Sequence, residues 1–270
     1  MLQKIKEASD YIKNKVSQKP ELGLILGTGL NSLTDVLSET MEISYKEIPH
    51  FKESTAPSHT GKLVFGKLYD KYVVFMQGRL HYYEGYSMQD ITFPIRVLKE
   101  LGIKILIVTN AAGSLNENMV PGDVVLLNNH INFMGDSPLR GKNYPELGER
   151  FPSMHEPYDN NLIKMAKDIA KENDFEIKEG VYIAVAGPNL ETKSESLMLA
   201  GFGADLVGMS TVPEVIVAIH SGLRVLGISV VTNLSNIFHS KPHSQEEIRE
   251  NALKAKKILQ TIILEIIKKI

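Results

Sequence analysis

The stretch that best indicates the fold is Tyr72-Val-Val-Phe-Met76-Gln77-Gly78-Arg79-Leu80-His81-Tyr82-Tyr83-Glu84-Gly85-Tyr86. It begins as an apolar strand and continues, after the glycine, with charged and aromatic residues, and functional side chains often follow a strand end in this way. The Arg79 guanidinium is a rigid fork of donors that fits a phosphate or carboxylate, and His81 can donate to the same anion. The stretch therefore predicts an anion site beside a stacking surface of tyrosine rings. The alternative is a strand followed by a loop with a solvated arginine and a tyrosine-rich packing corner.

The composition is that of an ordinary globular protein, with 270 residues, 43% hydrophobic and 23% charged. A formal net charge of −2 gives no general attraction to nucleic acid or to an anionic membrane, so we expect neither as a partner. The absence of cysteine excludes disulfides, thiolate catalysis and Cys-ligated zinc, and it is compatible with the cytoplasmic location that we expect. We find neither a secretory signal nor an apolar run long enough to span a bilayer.

The first segments predict a helix, a strand, a glycine turn and a second helix. Apolar residues recur at helical spacing before Pro20, residues 22–26 form an apolar run, and Gly27-Thr28-Gly29 follows. Asn31 and Ser32 are predicted to cap a helix over 33–37. This layout gathers backbone N–H groups around an anion. A dinucleotide-binding fingerprint is the alternative, but it would need a glycine in place of Ser32, and the Walker pattern is missing.

The remaining chain continues to alternate strands and helices. Residues 47–62 are predicted to form a long loop whose His59 can reach an anion, and residues 128–158 a second long loop. Pro94 is expected to be tolerated only within the first turn of a helix over 90–101. The other predicted elements are strands at 63–69, 72–76, 104–109, 123–127, 181–186, 205–208 and 223–232, and helices at 160–173, 193–202, 214–220 and 246–270.

This alternation predicts a single α/β domain over residues 1–270, a three-layer fold whose central mixed, largely parallel sheet is flanked by helices on both faces. Ligands of such sheets bind beyond the carboxyl ends of the strands. Glu191 is either an acceptor at a strand end or a first-turn glutamate of the following helix. The strand ends are expected to bring six residues around one crevice: Thr28, Arg79, Asn110, Glu191, Ser210 and Asn233.

Five motifs give the chain a family resemblance, and they extend over residues 20–235. They are Gly27-Thr-Gly29, Gln77-Gly-Arg-Leu-His-Tyr-Tyr-Glu-Gly-Tyr86, Val108-Thr-Asn-Ala-Ala-Gly113, Val185-Ala-Gly-Pro-Asn-Leu-Glu-Thr192 and Val207-Gly-Met-Ser-Thr-Val-Pro-Glu214. In order and spacing the chain resembles the trimeric, low-molecular-mass purine nucleoside phosphorylases. The resemblance implies reversible, phosphate-dependent cleavage of 6-oxopurine (deoxy)ribonucleosides such as inosine and guanosine, to free base and (deoxy)ribose 1-phosphate. It also implies a homotrimer, no metal and no cofactor, since phosphate is a co-substrate.

The resemblance also implies a phosphate site. Its residues would be Thr28, His59, Arg79, His81, Ser210 and the backbone N–H of Ala111, with Glu84 and Asn110 in support. The chemistry of these groups agrees, because a dianion needs many donors and at least one fixed positive charge.

For the nucleoside, the resemblance implies a ribose site of Tyr83, Met209, Gln245 and, from the neighbouring subunit, Phe151, and a purine site of Glu191, Asn233, Leu190, Val207 and Met209. An ionised carboxylate accepts from N1–H of a 6-oxopurine, whereas adenine presents a bare lone pair; such a site discriminates by roughly 10⁴. The Asn233 amide can stabilise the leaving purine at N7 and O6, a contribution of about 10²-fold to 10⁴-fold. Asn233, Glu191 and His81 are thus the expected catalytic residues.

One residue departs from the family pattern, and several other functions remain as alternatives. Relatives carry a histidine where this chain has Gln245, and His243 is the other candidate to contact the ribose 5′-hydroxyl. The adenine-specific methylthioadenosine phosphorylases, of the same family, carry aspartate in place of Asn233. A non-catalytic nucleoside-binding protein could use the same crevice. A nicotinamide-dependent oxidoreductase would need a third glycine, and a metal hydrolase built on His239 and His243 is disfavoured because Pro242 interrupts the helical spacing.

Overall fold

Strands and helices alternate through most of the chain. The computed structural model describes residues 1–27, 30–55, 61–239 and 244–270, without the side chains of Asn31 and Gln245. Its strands are β1 (Leu22–Ile25), β2 (Ser38–Ser44), β3 (Lys62–Leu68), β4 (Lys71–Gln77), β5 (Ile105–Ser114), β6 (Val124–Asn132), β7 (Lys178–Ala184), β8 (Leu206–Gly208) and β9 (Arg224–Leu234). Its α-helices are α1 (Leu2–Lys13), α2 (Met88–Leu101), α3 (Asn160–Glu172), α4 (Lys193–Gly201), α5 (Val212–His220), α6 (Gln245–Lys254) and α7 (Lys256–Lys269). No helix within these ranges has both the length and the apolarity that crossing a membrane requires.

The strands form one mixed sheet, part of which closes on itself. The order is β2-β3-β4-β1-β5-β8-β7-β6-β9, and β5 also pairs with β9, so that β5, β8, β7, β6 and β9 form a closed ring. Strand β1 lies parallel to both β4 and β5, whereas the β3–β4 hairpin and the β2–β3 pair are antiparallel. The predicted α/β fold class is confirmed. The ring was not predicted, because pairing between strands far apart in sequence leaves no local pattern.

The strands that carry the site are buried on both faces. All four residues of β1 are buried, and so are most residues of β4, β5 and β9. Their side chains are largely Val, Ile and Leu, which suits strands covered by helices on both sides. Helix α2 packs between α1 and α5, and α7 packs against α3. The strand ends that reach the site therefore extend from a rigid core.

Helix α2 differs from its prediction. It begins at Met88, because the Ser87 side chain accepts a hydrogen bond from the Asp90 backbone N–H and the Asp90 carboxylate caps the Ser87 N–H in return. Such a capping box fixes a helix start. Pro94 therefore lies in the second turn, and the expectation that it belongs to the first turn was wrong. Since proline has no N–H, the Asp90 carbonyl loses its usual intrahelical donor there.

Other differences concern element ends. Residues Asn31–Val36 form a 3-10 helix that Leu30 precedes, so Asn31 and Ser32 lie inside the helix, and the prediction that they cap a helix over 33–37 was wrong. Strand β2 was missed because it is an edge strand with mostly exposed, polar residues and shows little apolar alternation. The predicted C-terminal helix is two helices, which meet at Ala255.

Candidate active site

A cavity of about 230 Å³ lies where β4, β5, β8 and β9 end. A smaller cavity of about 50 Å³ adjoins it, sharing several wall residues and adding Glu191. Most of the residues predicted from the sequence meet here: Arg79, His81, Tyr83, Asn110, Ala111, Leu190, Val207, Met209, Ser210 and Asn233 line the larger cavity. Leu26, Gly27, Thr232 and Ile248 also line it and were not predicted.

Some of the remaining predicted residues lie outside the part of the chain that the structure describes. Thr28, His59 and His243 lie outside the described residues, and the side chain of Gln245 is not described. Phe151 is 86% exposed and lies on the surface of the chain, away from both cavities. Glu84 lies behind His81.

Arg79 reaches the cavity just after β4 ends at Gln77. Its Nη1 donates to the Ser210 hydroxyl at 2.9 Å, and its Nε lies 2.8 Å from Oε1 of Glu214. The arginine and the glutamate are both buried. The guanidinium is therefore a fixed cation at one end of the cavity, suited to an anion.

Glu84 holds the imidazole of His81. Its Oε1 accepts from the His81 backbone N–H at 2.7 Å and lies 3.0 Å from Nδ1, while Thr55 donates to Oε2 through its backbone N–H and its hydroxyl. Burial raises the pKa of Glu84, but these hydrogen bonds outweigh it and lower the pKa to about 2. The His81 ring also stacks on Tyr83, with ring centroids 4.7 Å apart. Nδ1 is thus fixed towards an ionised carboxylate, and the ring orientation is set before a ligand arrives.

Asn110 stabilises the turn that presents Ser210. Strand β5 continues through Asn110 to Ser114, beyond the predicted end at residue 109. The Asn110 Nδ2 donates to the Thr211 hydroxyl at 2.8 Å, and Oδ1 accepts from Ser229, also at 2.8 Å. Thr211 has φ +70°, which is unusual for a β-branched residue, and it immediately precedes α5. The amide thus supports a strained residue next to the Ser210 hydroxyl.

Asn233 lies opposite Gly113, near the end of β9. The two residues pair in register after an irregularity in the β5–β9 ladder. A side chain at position 113 would place its Cβ 3.1 Å from Nδ2 of Asn233, so the glycine leaves room for this amide. The Asn233 Oδ1 accepts from the Thr232 hydroxyl at 3.1 Å. An oriented amide group therefore faces both cavities.

Glu191 precedes α4 and is partly buried at the smaller cavity. Thr192 caps that helix together with Glu195, so Glu191 is not a first-turn glutamate, and that alternative was wrong. Burial raises the pKa of the Glu191 carboxyl. The Asn236 Nδ2 donates to the Glu191 backbone carbonyl at 2.7 Å. Glu191, Asn233 and Met209 line the smaller cavity together, so its carboxylate is a candidate acceptor for a ligand there.

Sequence reasoning assigned no role to Glu214 or Tyr182, which lie behind the cavity wall. The Ser210 backbone N–H points to the Tyr182 hydroxyl at 3.4 Å, and burial raises the pKa of this tyrosine to about 12. The signal for Glu214 was a lone glutamate in residues 212–219, which are otherwise apolar. Across the described ranges, no group of three or more His, Cys, Asp or Glu side chains is arranged to hold a metal ion.

A profile of the phosphorylase superfamily matches residues 21–268. The chain belongs to this superfamily. Within the superfamily, it is 48% identical over 252 residues to purine nucleoside phosphorylase 1 of Geobacillus stearothermophilus, covering 93% of this chain and 92% of the relative. The resemblance inferred from the five motifs is confirmed.

Two solved structures from Schistosoma mansoni share the fold. Isoform 2 of purine nucleoside phosphorylase, in complex with cytosine and ribose-1-phosphate, superposes with a TM-score of 0.94 at 43% identity, over 98% of this chain and 95% of that chain. The S. mansoni purine nucleoside phosphorylase in complex with inosine also gives a TM-score of 0.94, at 39% identity, over 100% of this chain and 97% of that chain.

Proposed function

We propose that this protein is a purine nucleoside phosphorylase, which uses inorganic phosphate to cleave 6-oxopurine ribonucleosides into free base and ribose 1-phosphate. The observation that carries the proposal is the pair of adjoining cavities, with Arg79 lining the larger one and Glu191 the smaller one. Asn233 and Met209 line both. The two Schistosoma structures, one in complex with inosine and the other with cytosine and ribose-1-phosphate, support it.

In this proposal, phosphate binds at the end of the larger cavity. Arg79 supplies the fixed positive charge, Ser210 and His81 donate hydrogen bonds, and the backbone N–H of Ala111 adds another donor. Thr28 and His59 complete the set by family resemblance. The buried Glu84 keeps His81 oriented and does not itself touch the anion, which a carboxylate would repel. The phosphate oxygen nearest the sugar then attacks C1′ from the side opposite the purine.

The purine occupies the space beside Glu191 and Asn233. Ionised Glu191 accepts from N1–H, so inosine and guanosine are preferred to adenosine. Negative charge grows on the purine as the glycosidic bond breaks, and the Asn233 amide stabilises it at N7 and O6. The C1′–N9 bond breaks as the bond between C1′ and the phosphate oxygen forms. The purine anion then takes up one proton from solvent, which balances the proton that hydrogen phosphate loses, and is released as free base. Leu190, Val207 and Met209 form the apolar wall, and Tyr83 and Met209 contact the ribose.

We further propose that the active form is a cytoplasmic homotrimer in which the whole chain is one domain. The exposed Phe151 supports the trimer, because by family resemblance this residue closes the sugar pocket of the neighbouring subunit, and its side chain is 86% exposed in a single chain. Phe151 would enter the sugar site of the neighbouring subunit, while Gln245 contacts the ribose 5′-hydroxyl. No metal or cofactor is needed.

The alternatives are a methylthioadenosine phosphorylase and a non-catalytic nucleoside-binding protein. Asn233 supports a purine nucleoside phosphorylase over the adenine-specific methylthioadenosine phosphorylase, because its amide can donate to N7 and O6 of a 6-oxopurine. A panel of inosine, guanosine, adenosine and methylthioadenosine, each with and without phosphate, distinguishes all three. We expect base release from inosine and guanosine only when phosphate is added. Release without phosphate would indicate a hydrolase, and no release would indicate a binding protein.

The same panel on Glu191→Gln tests the purine site. We expect kcat/KM for inosine to fall by about 10²-fold or more, because the neutral amide is a weaker acceptor for N1–H. Glu172→Gln is the matched control, since Glu172 is an exposed glutamate at the end of α3 and lines neither of the two adjoining cavities. Unchanged selectivity in Glu191→Gln would remove this residue from the purine site.

A further inference from the structure

Glu214 is a buried carboxylate that touches the candidate site from behind. It lines neither of the two adjoining cavities, yet its Oε1 lies 2.8 Å from Nε of Arg79. The glutamate and arginine side chains are only 4% and 5% exposed. We propose that Glu214 is a positioning residue that fixes the Arg79 guanidinium in the orientation that receives phosphate, an inference that rests on the proposed function.

One short segment contacts the guanidinium at two of its nitrogens. Ser210, just before α5, accepts from Nη1 at 2.9 Å, and Glu214, the third residue of α5, contacts Nε. Arg79 itself comes from a different part of the chain, after the end of β4. An arginine has a long side chain with several rotatable bonds, so its direction depends on such contacts. The start of α5 therefore sets the direction of the cation.

The surroundings of Glu214 indicate a role beyond folding. The carboxylate lies in the first turn of α5, where the helix N-terminus favours negative charge, but its neighbours along the helix are apolar. The buried Tyr158 and Tyr182 are the other ionisable groups that face it. A buried ion pair contributes little net stability, because desolvation offsets its attraction, and an apolar pair of similar volume often serves folding as well. An apolar replacement could not, however, hold the Arg79 guanidinium in its present direction.

Two substitutions test the length of the Glu214 side chain and its charge separately. Glu214→Asp keeps the carboxylate but is one methylene shorter, so Arg79 loses its fixed contact. Glu214→Gln keeps the length of the side chain and an oxygen at its end, but removes the negative charge that contacts Nε of Arg79. If Glu214 acts by position, the aspartate variant is the impaired one. If it acted through charge, the glutamine variant would change most, and phosphate would bind more tightly because a nearby anion had been removed.

The experiment measures KM for phosphate and for inosine, and kcat, in the wild type and both variants. Asp159→Asn is the control. Asp159 lies at the start of α3 and, like Glu214, pairs with an arginine, which here is Arg224, but it lines neither cavity. In Glu214→Asp we expect KM for phosphate to rise about 10-fold to 100-fold, with KM for inosine within about threefold of wild type, since a displacement near 1 Å is costly for catalytic groups. In Glu214→Gln and Asp159→Asn we expect both KM values to stay within about threefold of wild type.

The kinetic results distinguish failure of the positioning role from failure of the proposed function. A phosphate KM in folded Glu214→Asp that stays within about twofold of wild type overturns the positioning role, as does a larger change in Glu214→Gln than in Glu214→Asp. If the glutamine variant does not fold, the comparison of Glu214→Asp with Asp159→Asn decides by itself. Wild-type protein that releases no base from inosine with phosphate would refute the proposed function instead, before any variant is measured.

Discussion

The Asn110 Nδ2 donates to the Thr211 hydroxyl at 2.8 Å, and Thr211 is held with φ +70° next to Ser210. A buried side chain of β5 thus stabilises a backbone conformation that threonine rarely adopts. Strain of this kind persists only where surrounding contacts maintain it. The pair therefore links the rigid sheet to the serine hydroxyl at the proposed phosphate site.

Replacing Asn110 should release that turn. In Asn110→Ala, the hydroxyls of Thr211 and Ser229 lose their partner, and we expect the free energy of unfolding to fall by about 1 to 3 kcal/mol. We also expect KM for phosphate to rise, because Ser210 is no longer fixed. Urea denaturation and steady-state kinetics measure the two effects. A phosphate KM equal to that of the wild type would separate the turn from the anion site.

Two substitutions at Thr211 distinguish strain from hydrogen bonding. Glycine adopts positive φ readily, so Thr211→Gly should lose the bond from Asn110 but regain part of that free energy through relief of strain. Thr211→Val keeps both the shape and the strain and loses the acceptor, so it should be less stable than wild type by about 1 to 3 kcal/mol. Thermal unfolding of both variants tests this order. Equal losses for glycine and valine would indicate that the backbone at 211 is not strained.

Glu84 should contribute stability that depends on pH. Its folded-state pKa is lowered to about 2, below the ordinary value, so its contribution is present above the ordinary range and is lost as pH falls towards 2. Glu84→Gln should therefore be less stable than wild type at pH 7, and the difference should shrink as the pH is lowered below about 4.5. Chemical denaturation at a series of pH values provides the measurement. A difference that does not vary with pH would mean that the carboxylate charge is not what the hydrogen bonds stabilise.

Glu191 should affect the free energy of unfolding in the opposite direction to Glu84. Burial raises its pKa, so in the folded protein the ionised form costs free energy at neutral pH, and the cost disappears once the pH lies below the ordinary carboxyl range. Glu191→Gln should thus be more stable than wild type at pH 7 while turning over inosine more slowly. Melting curves at neutral and acidic pH, with no nucleoside present, test the first part. A variant less stable than wild type at pH 7 would contradict the effect of burial.

The sequence predicted the site better than it predicted the sheet around it. Arg79 and Ser210 follow buried strands, Asn233 lies near the end of one, and Asn110 follows the predicted strand over 104–109, so the pattern alone places them at one edge of an α/β sheet. Glu214 was missed because its role depends on a contact with a residue far away in the chain, which no local spacing reveals.

Edge strand β2 and the closed ring were missed for a related reason. The residues of β2 are mostly polar and exposed, so they lack the apolar alternation from which strands are recognised. The ring depends on β5 pairing with both β8 and β9, which is decided by packing of the whole molecule. Pro94 was misplaced because a capping box moved the helix start by two residues.

Asn110 and Gly113 lie on the same strand, three residues apart, and β5 is bonded to β1, β8 and β9. Consecutive residues of a strand advance by about 3.3 Å, so these two positions are separated by about 10 Å. The backbone of one core strand thus keeps Asn110, beside the proposed anion site, and Gly113, opposite Asn233, at a fixed spacing. Substitutions elsewhere in the cavity wall can alter which base or sugar is accepted while these two positions keep that spacing.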